Sequence, residues 1–223
     1  MATVGHVVVT GANRGIGFEF CRQYQALGYQ VTAIVRTPSE ALLALGVTVI
    51  AAVDVANAAQ VAALTAQFND KPIDILINNA GIFHNETLSN MDFTALERQL
   101  QVNAVAPIRV THALQHALKP GSKVAMITSR MGSIADNGSG GYIGYRMSKA
   151  ALNAAGVSLA HELKPRGVAV ALLHPGFVQT QMVNFAGDIS AEQSAERLIS
   201  RISELNLANS GRFWHSNGDE LPW

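Results

Sequence analysis

The apolar residues of the chain form short runs that alternate with segments of helical spacing. Runs rich in Val, Ile and Leu predict buried strands, which we place at residues 6–10, 29–35, 47–51, 73–77, 123–128, 168–173 and 211–214. Apolar residues at steps of three or four predict helices at residues 18–27, 57–68, 93–118, 145–163 and 190–206. This alternation predicts an α/β fold, a doubly wound parallel sheet of about seven strands with helices on both faces.

Three local signals refine the helices. Pro107 lies inside the long segment 93–118 and predicts a bend there, because proline lacks the backbone donor. Ser190 followed by Gln193 has the spacing of a capping box at the start of the last helix. Cys21 falls in the apolar stripe of the first helix, and as the single cysteine it excludes an internal disulfide.

The composition is typical of one globular domain, which we assign to residues 1–223. Apolar residues make up 48% and charged residues 14% of the chain, and the 16 Lys and Arg balance the 16 Asp and Glu. A net charge of zero gives no reason to expect nucleic acid or an anionic membrane as a partner. No apolar run reaches the ~18 residues of a membrane span. Residues 1–3 lead directly into the first strand, so we expect no secretory signal and a cytoplasmic location.

A glycine-rich turn follows the first predicted strand and precedes the first helix. Its sequence is Gly11-Ala12-Asn13-Arg14-Gly15-Ile16-Gly17, with glycines at the first, fifth and seventh places. A strand, a glycine turn and a helix in this order are the context of a dinucleotide-binding loop. The glycines allow the backbone to approach a pyrophosphate, whose charge meets the helix N-terminus. The turn therefore predicts a Rossmann-type domain, although its spacing differs from the usual G-x-G-x-x-G.

Tyr145 and Lys149 are four residues apart at the start of a helix-forming segment. Positions i and i+4 share one helix face. A cation close to a phenol favours the phenolate and lowers its pKa from ~10, so a tyrosine in this setting can act as a general acid or base. Taken alone, the pair is also compatible with two residues of a surface helix. Tyr142 is a competing tyrosine, but it has no lysine four residues later.

Six motifs together resemble the short-chain dehydrogenase/reductase family over essentially the whole chain. In order, they are Thr10-Gly11-Ala12-Asn13-Arg14-Gly15-Ile16-Gly17, Asn78-Asn79-Ala80-Gly81, Asn103, Ser129, Tyr145-x-x-x-Lys149 and His174-Pro175-Gly176. The ending, with Gly211-Arg212-Phe213-Trp214 and Leu221-Pro222-Trp223, resembles the small carbonyl-reductase and C-factor-like branch.

The resemblance implies four catalytic residues. Ser129 would orient the substrate carbonyl, Tyr145 would exchange the proton, and Lys149 would hold the cofactor ribose and relay a proton from a water at Asn103. A plain helix kink is the alternative for Asn103, because asparagine is a poor residue in a helix interior. Ser133 is the alternative to Ser129, since the spacing from Ser129 to Tyr145 is longer than usual in the family. A loop containing residues 138–141 would absorb the difference.

The resemblance also implies the cofactor-binding residues. They are Gly11, Asn13, Arg14, Gly15, Ile16, Gly17, Arg36, Asp54, Asn79, Ala80, Gly81, Tyr145, Lys149, Pro175, Gly176, Val178 and Thr180. Arg14 and Arg36 favour NADP(H), because guanidinium groups pair well with a 2'-phosphate; NAD(H) is possible. Asp54 would contact the adenine or cap a turn, and Asn79 would contact the cofactor or tie strands together.

The predicted activity is NADPH-dependent reduction of a small ketone or aldehyde to an alcohol, or the reverse. Phe177, Met182, Val183 and Phe185, in and beside a short lid at residues 178–189, suggest an apolar carbonyl substrate. The alternative is a nucleotide-binding signalling protein of the same fold with little turnover. The seven histidines show no metal-binding spacing. An apolar, small-residue face on the helix 145–163 predicts a homodimer, with a monomer or tetramer as alternatives.

Overall fold

The computed structural model describes residues 4–223, so residues 1–3, which the expectation about a secretory signal concerns, lie outside the described part. Seven parallel strands form one sheet in the order β3-β2-β1-β4-β5-β6-β7. The strands are β1 (His6–Thr10), β2 (Gln30–Ile34), β3 (Thr48–Ile50), β4 (Ile73–Asn78), β5 (Leu118–Ile127), β6 (Ala169–His174) and β7 (Phe213–His215). The predicted fold class is therefore confirmed.

Helices cover both faces of this sheet. They are α1 (Gly15–Ala26), α2 (Glu40–Ala44), α3 (Ala58–Gln67), α4 (Phe93–Leu100), α5 (Ala106–Leu114), α6 (Ile143–Leu163) and α7 (Ala191–Glu204). One buried apolar cluster joins the sheet to α3, α5 and α6 through side chains such as Leu64, Leu114 and Leu152. The other joins it to α1 and α7 through Phe20 and Leu198. The sheet is thus buried on both sides, as parallel sheets usually are.

The strand order reverses between β1 and β4, and this reversal places the site. β1 pairs with β2 on one side and with β4 on the other. The connections that leave β1 and β4 therefore diverge to opposite sides, which opens a crevice at the carboxyl ends of these strands. The glycine turn after β1 and the Asn78-Asn79-Ala80-Gly81 segment at the end of β4 meet at that crevice.

The long helix predicted at residues 93–118 is interrupted. A π-helical turn at Gln101–Val105 separates α4 from α5, and a 3₁₀ turn at Gln115–Ala117 follows α5. Proline cannot donate to the carbonyl four residues earlier and its ring crowds that carbonyl. For Pro107 that carbonyl belongs to Asn103, so the irregularity predicted at Pro107 falls one turn earlier.

Two further elements differ from the sequence prediction. The sequence predicts no helix at α2, which has five residues and is capped by the Ser39 hydroxyl accepting from the Leu42 amide; so short a helix has no extended periodic pattern to detect. β5 starts at Leu118 instead of residue 123. The extra residues form an irregular stretch, in which Ile73 pairs with Leu118 and Ile75 with Lys123.

Candidate active site

The glycine turn packs so closely on the end of β4 that side chains would not fit. Gly11 has φ +66°, and a Cβ on it would lie 2.7 Å from the Ala80 Cα. A Cβ on Gly17 would lie 2.3 Å from the Gly11 carbonyl oxygen. Arg14, the residue before α1, makes no side-chain hydrogen bond to the first turn of that helix. The first amides of a helix have no partner within the helix, and the glycines leave the backbone beside them accessible. This arrangement fits the phosphates of a dinucleotide.

Asn79 ties the two sides of the crevice together. Its side-chain Nδ2 donates to the carbonyl oxygens of Thr10 and Gly11, both at 3.1 Å. The amides of Asn79 and Ala80 in turn donate to the Thr10 hydroxyl at 3.1 and 3.2 Å. Asn79 therefore joins the ends of β1 and β4, and its contact with a cofactor stays a prediction. Ala80 and Gly81, half-buried at the same place, keep the backbone accessible.

The glycine turn also contacts the segment after β2. The Asn13 side chain accepts from the Ser39 amide, and the Ser39 hydroxyl donates to the Asn13 carbonyl at 3.0 Å. Ile16 packs against the apolar cluster under α1. The Arg14 guanidinium donates to the Gln181 side chain, so it links the glycine turn to the predicted lid. Arg36 is exposed directly after β2.

Asp54 has a partner that the sequence did not reveal. Arg98 on α4 forms a 2.7 Å ion pair with its carboxylate, whose other oxygen accepts from the Ala56 amide at 2.9 Å. Burial acts to raise the pKa of Asp54, but these hydrogen bonds and the charges of Arg98 and Arg36 outweigh burial and lower it. Asp54 is thus an ionised group that is paired with Arg98 and feels the positive charge of Arg36.

Tyr145 and Lys149 lie together on α6, as their spacing predicts. The Lys149 Nζ is 5.7 Å from the centroid of the Tyr145 ring and donates to the Ile127 carbonyl at the end of β5 at 2.9 Å. Burial lowers the pKa of Lys149 to about 8. It raises the pKa of Tyr145 to about 12, which the Ser129 hydroxyl partly opposes. The predicted lowering of the tyrosine pKa by the lysine is therefore wrong for this structure, since burial dominates.

Of the two candidate serines, Ser129 is the one beside Tyr145. Its hydroxyl accepts from the Met131 amide at 3.2 Å and caps a short 3₁₀ turn after β5. Ser133 is buried elsewhere, where its hydroxyl donates to the Trp223 carbonyl at 3.1 Å. The geometry thus favours Ser129 over Ser133 as the residue facing a substrate.

The loop between Ser129 and Tyr145 absorbs the long spacing. Gly140, Gly141 and Tyr142 all have positive φ, at +62°, +65° and +52°. The Arg146 guanidinium donates to the Gly140 and Gly141 carbonyls at 3.3 and 3.2 Å and to the Ser139 hydroxyl at 2.9 Å. A tyrosine in the left-handed region is strained. The Tyr142 ring lies 5.5 Å from the ring of Phe83.

Asn103 is fully buried in the π-helical turn, and its amide is engaged at both ends. Oδ1 accepts from the Ile82 amide at 2.8 Å, while Nδ2 donates to the Ile82 carbonyl at 2.8 Å and to the Ser148 hydroxyl at 3.0 Å. The side chain therefore clamps the segment after β4 to α6, which is more than a plain kink. The role predicted for Asn103, holding a water from which Lys149 relays a proton, stays a prediction.

The segment after β6 closes the opposite side of the crevice. The Pro175 carbonyl accepts from the Ser194 and Ser216 hydroxyls at 2.8 and 3.1 Å, and Gly176 has φ +93°. Val178 is buried, and the Thr180 methyl carbon would lie 3.3 Å from a Cβ on Gly15, so the lid reaches the glycine turn. The apolar lid side chains Phe177, Met182 and Phe185 are exposed, and Val183 is half-buried.

Sequence reasoning missed several residues around Tyr145. The Phe83 ring packs edge-on against Tyr145, with centroids 4.9 Å apart. Glu86 and Gln99 are fully buried nearby. A carboxylate five residues after Gly81 gives no sequence signal of burial, so only the folded chain reveals it. Within residues 4–223, no group of His, Cys, Asp or Glu side chains is placed to hold a metal ion, and no helix is long and apolar enough to cross a membrane.

Both the sequence and the fold of this chain match those of known proteins. The sequence model described as short chain dehydrogenase matches residues 5–203. A 1-hydroxy-2-glutathionyl-2-methyl-3-butene dehydrogenase of Rhodococcus sp. (strain AD45) is 39% identical over 223 residues, which cover 97% of this chain and 99% of the relative. The C-signal of Myxococcus xanthus is 44% identical over 155 residues, 68% of this chain and 93% of that protein. An NADPH-bound carbonyl reductase from chicken fatty liver has a TM-score of 0.88 and 28% identity, with 100% of both chains covered.

Proposed function

Because the chain belongs to the short-chain dehydrogenase/reductase family, we propose that it is an NADP(H)-dependent oxidoreductase that interconverts a small carbonyl compound and its alcohol. The observation that carries this proposal is the group of Ser129, Tyr145 and Lys149, which the carboxyl end of β5 and the first turns of α6 bring together. The proposal includes a cytoplasmic location, which stays a prediction.

In the proposed reaction, the hydroxyls of Ser129 and Tyr145 bind the substrate carbonyl oxygen, where negative charge develops. A bound nicotinamide cofactor supplies the hydride. Tyr145 donates its proton to the oxygen, so that its own O–H bond breaks as the alcohol O–H bond forms. Lys149, with a pKa of about 8, is the stronger acid and can return a proton to a phenolate whose acid has a pKa of about 12.

In this proposal, different residues along the crevice would hold the different parts of the cofactor. The glycine turn and the start of α1 would bind its phosphates. Asp54 would face the adenine, and Arg36 would meet a 2'-phosphate. Lys149 would contact the ribose hydroxyls, and the 175–180 segment would seat the nicotinamide, with the Thr180 hydroxyl on its carboxamide. Asn79 supports this site through the Thr10 and Gly11 backbone.

The surroundings of Tyr145 support an apolar carbonyl substrate. The Phe83 ring packs against the Tyr145 ring on one side and the Tyr142 ring on another, and Phe177 and Met182 are exposed on the lid side. A panel of ketones, aldehydes and alcohols with NADPH, NADH and their oxidised forms, followed by cofactor absorbance, tests the proposal. The panel includes thioether alcohols, since the Rhodococcus relative is named for a glutathionyl alcohol. Absence of turnover throughout the panel would argue against an enzyme.

A nucleotide-binding signalling protein is the second candidate. The 44% identity to the C-signal of Myxococcus xanthus favours it. The presence of both Tyr145 and Lys149 favours catalysis, because a protein that only bound nucleotide would not need a phenol beside a buried amine. Nucleotide binding without turnover across the panel would support this second candidate over the first.

Cofactor choice is a first testable prediction. NADPH is expected to bind more tightly than NADH, because each charge-assisted bond from an arginine to the 2'-phosphate contributes about 1.5–3 kcal/mol. Arg36→Ala should reduce this difference and leave the NADH affinity unchanged, as measured by fluorescence titration of both cofactors. Arg212→Ala, which removes another half-exposed arginine, is the control. Equal affinities of the parent for NADPH and NADH would show that neither Arg14 nor Arg36 binds the 2'-phosphate.

Assembly is a second testable prediction. Ala154 is exposed on α6 and its small neighbours Ala150, Ala151, Ala155 and Val157 are half-buried, so a second helix could approach closely. Large apolar side chains are also exposed on or beside α4 and α6, at Phe93, Val105 and Met147. We expect a two-fold homodimer that Ala154→Arg converts to a monomer, measured by light scattering. Ala66→Arg, the same change at an exposed site of α3, should leave the dimer intact. A parent that scatters as a 23.7 kDa monomer would refute the dimer.

A further inference from the structure

Glu86 is an unusual residue for the interior of this protein. Its side chain is fully buried, and the Oε2 atom has no hydrogen-bond partner among the described residues. Its Oε1 atom accepts from the Gln99 side-chain Nε2 at 2.6 Å and lies 3.3 Å from the Nδ1 of half-exposed His84. Burying a carboxyl group with one oxygen unpartnered costs free energy of folding. This cost suggests that Glu86 has a role beyond packing.

The carboxyl group lies against the first turn of the helix that carries Tyr145. A Cβ on Gly144 would lie 3.0 and 3.1 Å from the two Glu86 carboxyl oxygens and 2.8 Å from the Gln99 Nε2. Gly144 immediately precedes Tyr145, and the Ile143 amide donates to the Glu86 carbonyl at 3.4 Å. Glu86 and Gln99 thus occupy the space that a side chain at position 144 would need, and they fix the backbone next to Tyr145.

The first turn of α6 has no capping side chain from the residue before it, so a carboxyl group from elsewhere in the chain can stabilise this helix start. The residue before the helix, Tyr142, is in the left-handed region and makes no side-chain hydrogen bond to the first turn. The amides of a helix N-terminus carry partial positive charge, and a negative group beside them is stabilising. Glu86 brings a carboxyl group to this helix start from a segment 57 residues earlier in the chain, counted from Glu86 to Ile143.

The same segment is held rigidly from the other side. The Gln99 Oε1 accepts from the His84 amide at 2.9 Å, and Asn103, four residues further on, clamps Ile82. Phe83, between these anchored residues, packs edge-on against the Tyr145 ring. The segment 82–86 therefore touches both the ring of Tyr145 and the backbone that precedes it.

We propose that Glu86 and Gln99 are a buried pair of positioning residues that fix the first turn of α6, and through it the Tyr145 hydroxyl. This inference rests on the proposed acid–base function of Tyr145. Two features would fix this turn: the Glu86 carboxyl group beside the helix start, and the position of that carboxyl group against Gly144. Neither residue touches substrate or cofactor in this scheme.

Glu86→Gln tests the carboxyl group, because glutamine keeps the side-chain volume and an acceptor for Gln99. We expect kcat to fall about tenfold to a hundredfold, the loss that small misplacements of a reacting group produce. The NADPH affinity, measured by fluorescence titration, should stay within about twofold of the parent, since the glycine turn and the 175–180 segment, two main parts of the proposed cofactor site, are distant in the chain from Glu86. Amide hydrogen exchange across residues 142–147 should become faster.

The exchanged pair Glu86→Gln with Gln99→Glu provides the matched rescue. Both side-chain ends contact the same Gly144, so the swap returns one carboxyl group to the helix start. Recovery of kcat and of slow hydrogen exchange in the swap supports the inference, also if Glu86→Gln alone does not fold. A parental kcat and exchange rate in Glu86→Gln would overturn it. The inference would also be overturned if kcat, NADPH affinity and melting temperature all fell together and the swap did not restore them. That result would mean that Glu86 has only a structural role.

Failure of the proposed function gives a different result. A parent without turnover on the whole substrate panel would overturn the oxidoreductase proposal, and the hydrogen-exchange comparison would then still decide whether Glu86 fixes the start of α6. In that case, unchanged amide hydrogen exchange in Glu86→Gln would reject the positioning role of Glu86. Faster exchange that the swap reverses would support this role.

Discussion

Tyr145→Phe is expected to abolish turnover while NADPH binding persists. The substitution removes only the hydroxyl, so it deletes the proton donor without creating a cavity. General acid catalysis contributes about 10²–10⁴-fold, and we expect kcat on a validated carbonyl substrate to fall by at least that much. The Phe83 ring packs on the Tyr145 ring itself, so the phenylalanine should keep its place. Steady-state kinetics and a fluorescence titration with NADPH measure the two effects separately.

Tyr142→Phe is the matched control, since it removes the same hydroxyl three residues earlier. Tyr142 has no lysine four residues later, and its contact in the structure is made by its ring, against Phe83. Turnover of this variant should stay close to that of the parent. Near-parental turnover in Tyr145→Phe, or an equal loss in Tyr142→Phe, would show that the acid is wrongly assigned.

Gly17→Ala is expected to destroy the dinucleotide loop. The added Cβ would lie 2.3 Å from the Gly11 carbonyl oxygen and 2.5 Å from the Asn79 Nδ2. The Gly11 carbonyl follows β1 and the Asn79 amide, which donates to it, follows β4, so the methyl group must push apart the close packing at the ends of these strands. Overpacking of this kind destabilises by typically about 1–3 kcal/mol. We expect a lower melting temperature and an NADPH affinity too weak to measure by fluorescence titration.

Gly138→Ala is the control for the glycine substitution. Gly138 lies in the loop before α6, has no described atom within 4 Å of its Cβ position and does not adopt a positive φ. The melting temperature and NADPH affinity of this variant should match those of the parent. If Gly17→Ala matched Gly138→Ala in both measurements, the close packing of the turn on β4 would not matter for cofactor binding.

The sequence alone was sufficient for the fold class and most elements. Strands and helices are local patterns, because a buried strand needs a continuous apolar run and a covering helix needs an apolar stripe. The α/β alternation, the seven strands and the capping of α7 by Ser190 follow from such patterns, and the structure confirms each of them. The i,i+4 spacing of Tyr145 and Lys149 likewise required only that residues 145–163 form a helix.

The tertiary structure decided everything that depends on how distant elements meet. The ion pair of Asp54 with Arg98 joins residues 44 positions apart, and the Asn103 clamp on Ile82 joins residues 21 apart. The pKa of Tyr145 rises instead of falling, because burial is set by packing and outweighs the hydrogen bond with Ser129. The contact of Glu86 with Gly144 arises in the same way. Such contacts depend on the rotation and separation of packed helices, which short-range patterns of apolar and polar residues do not encode.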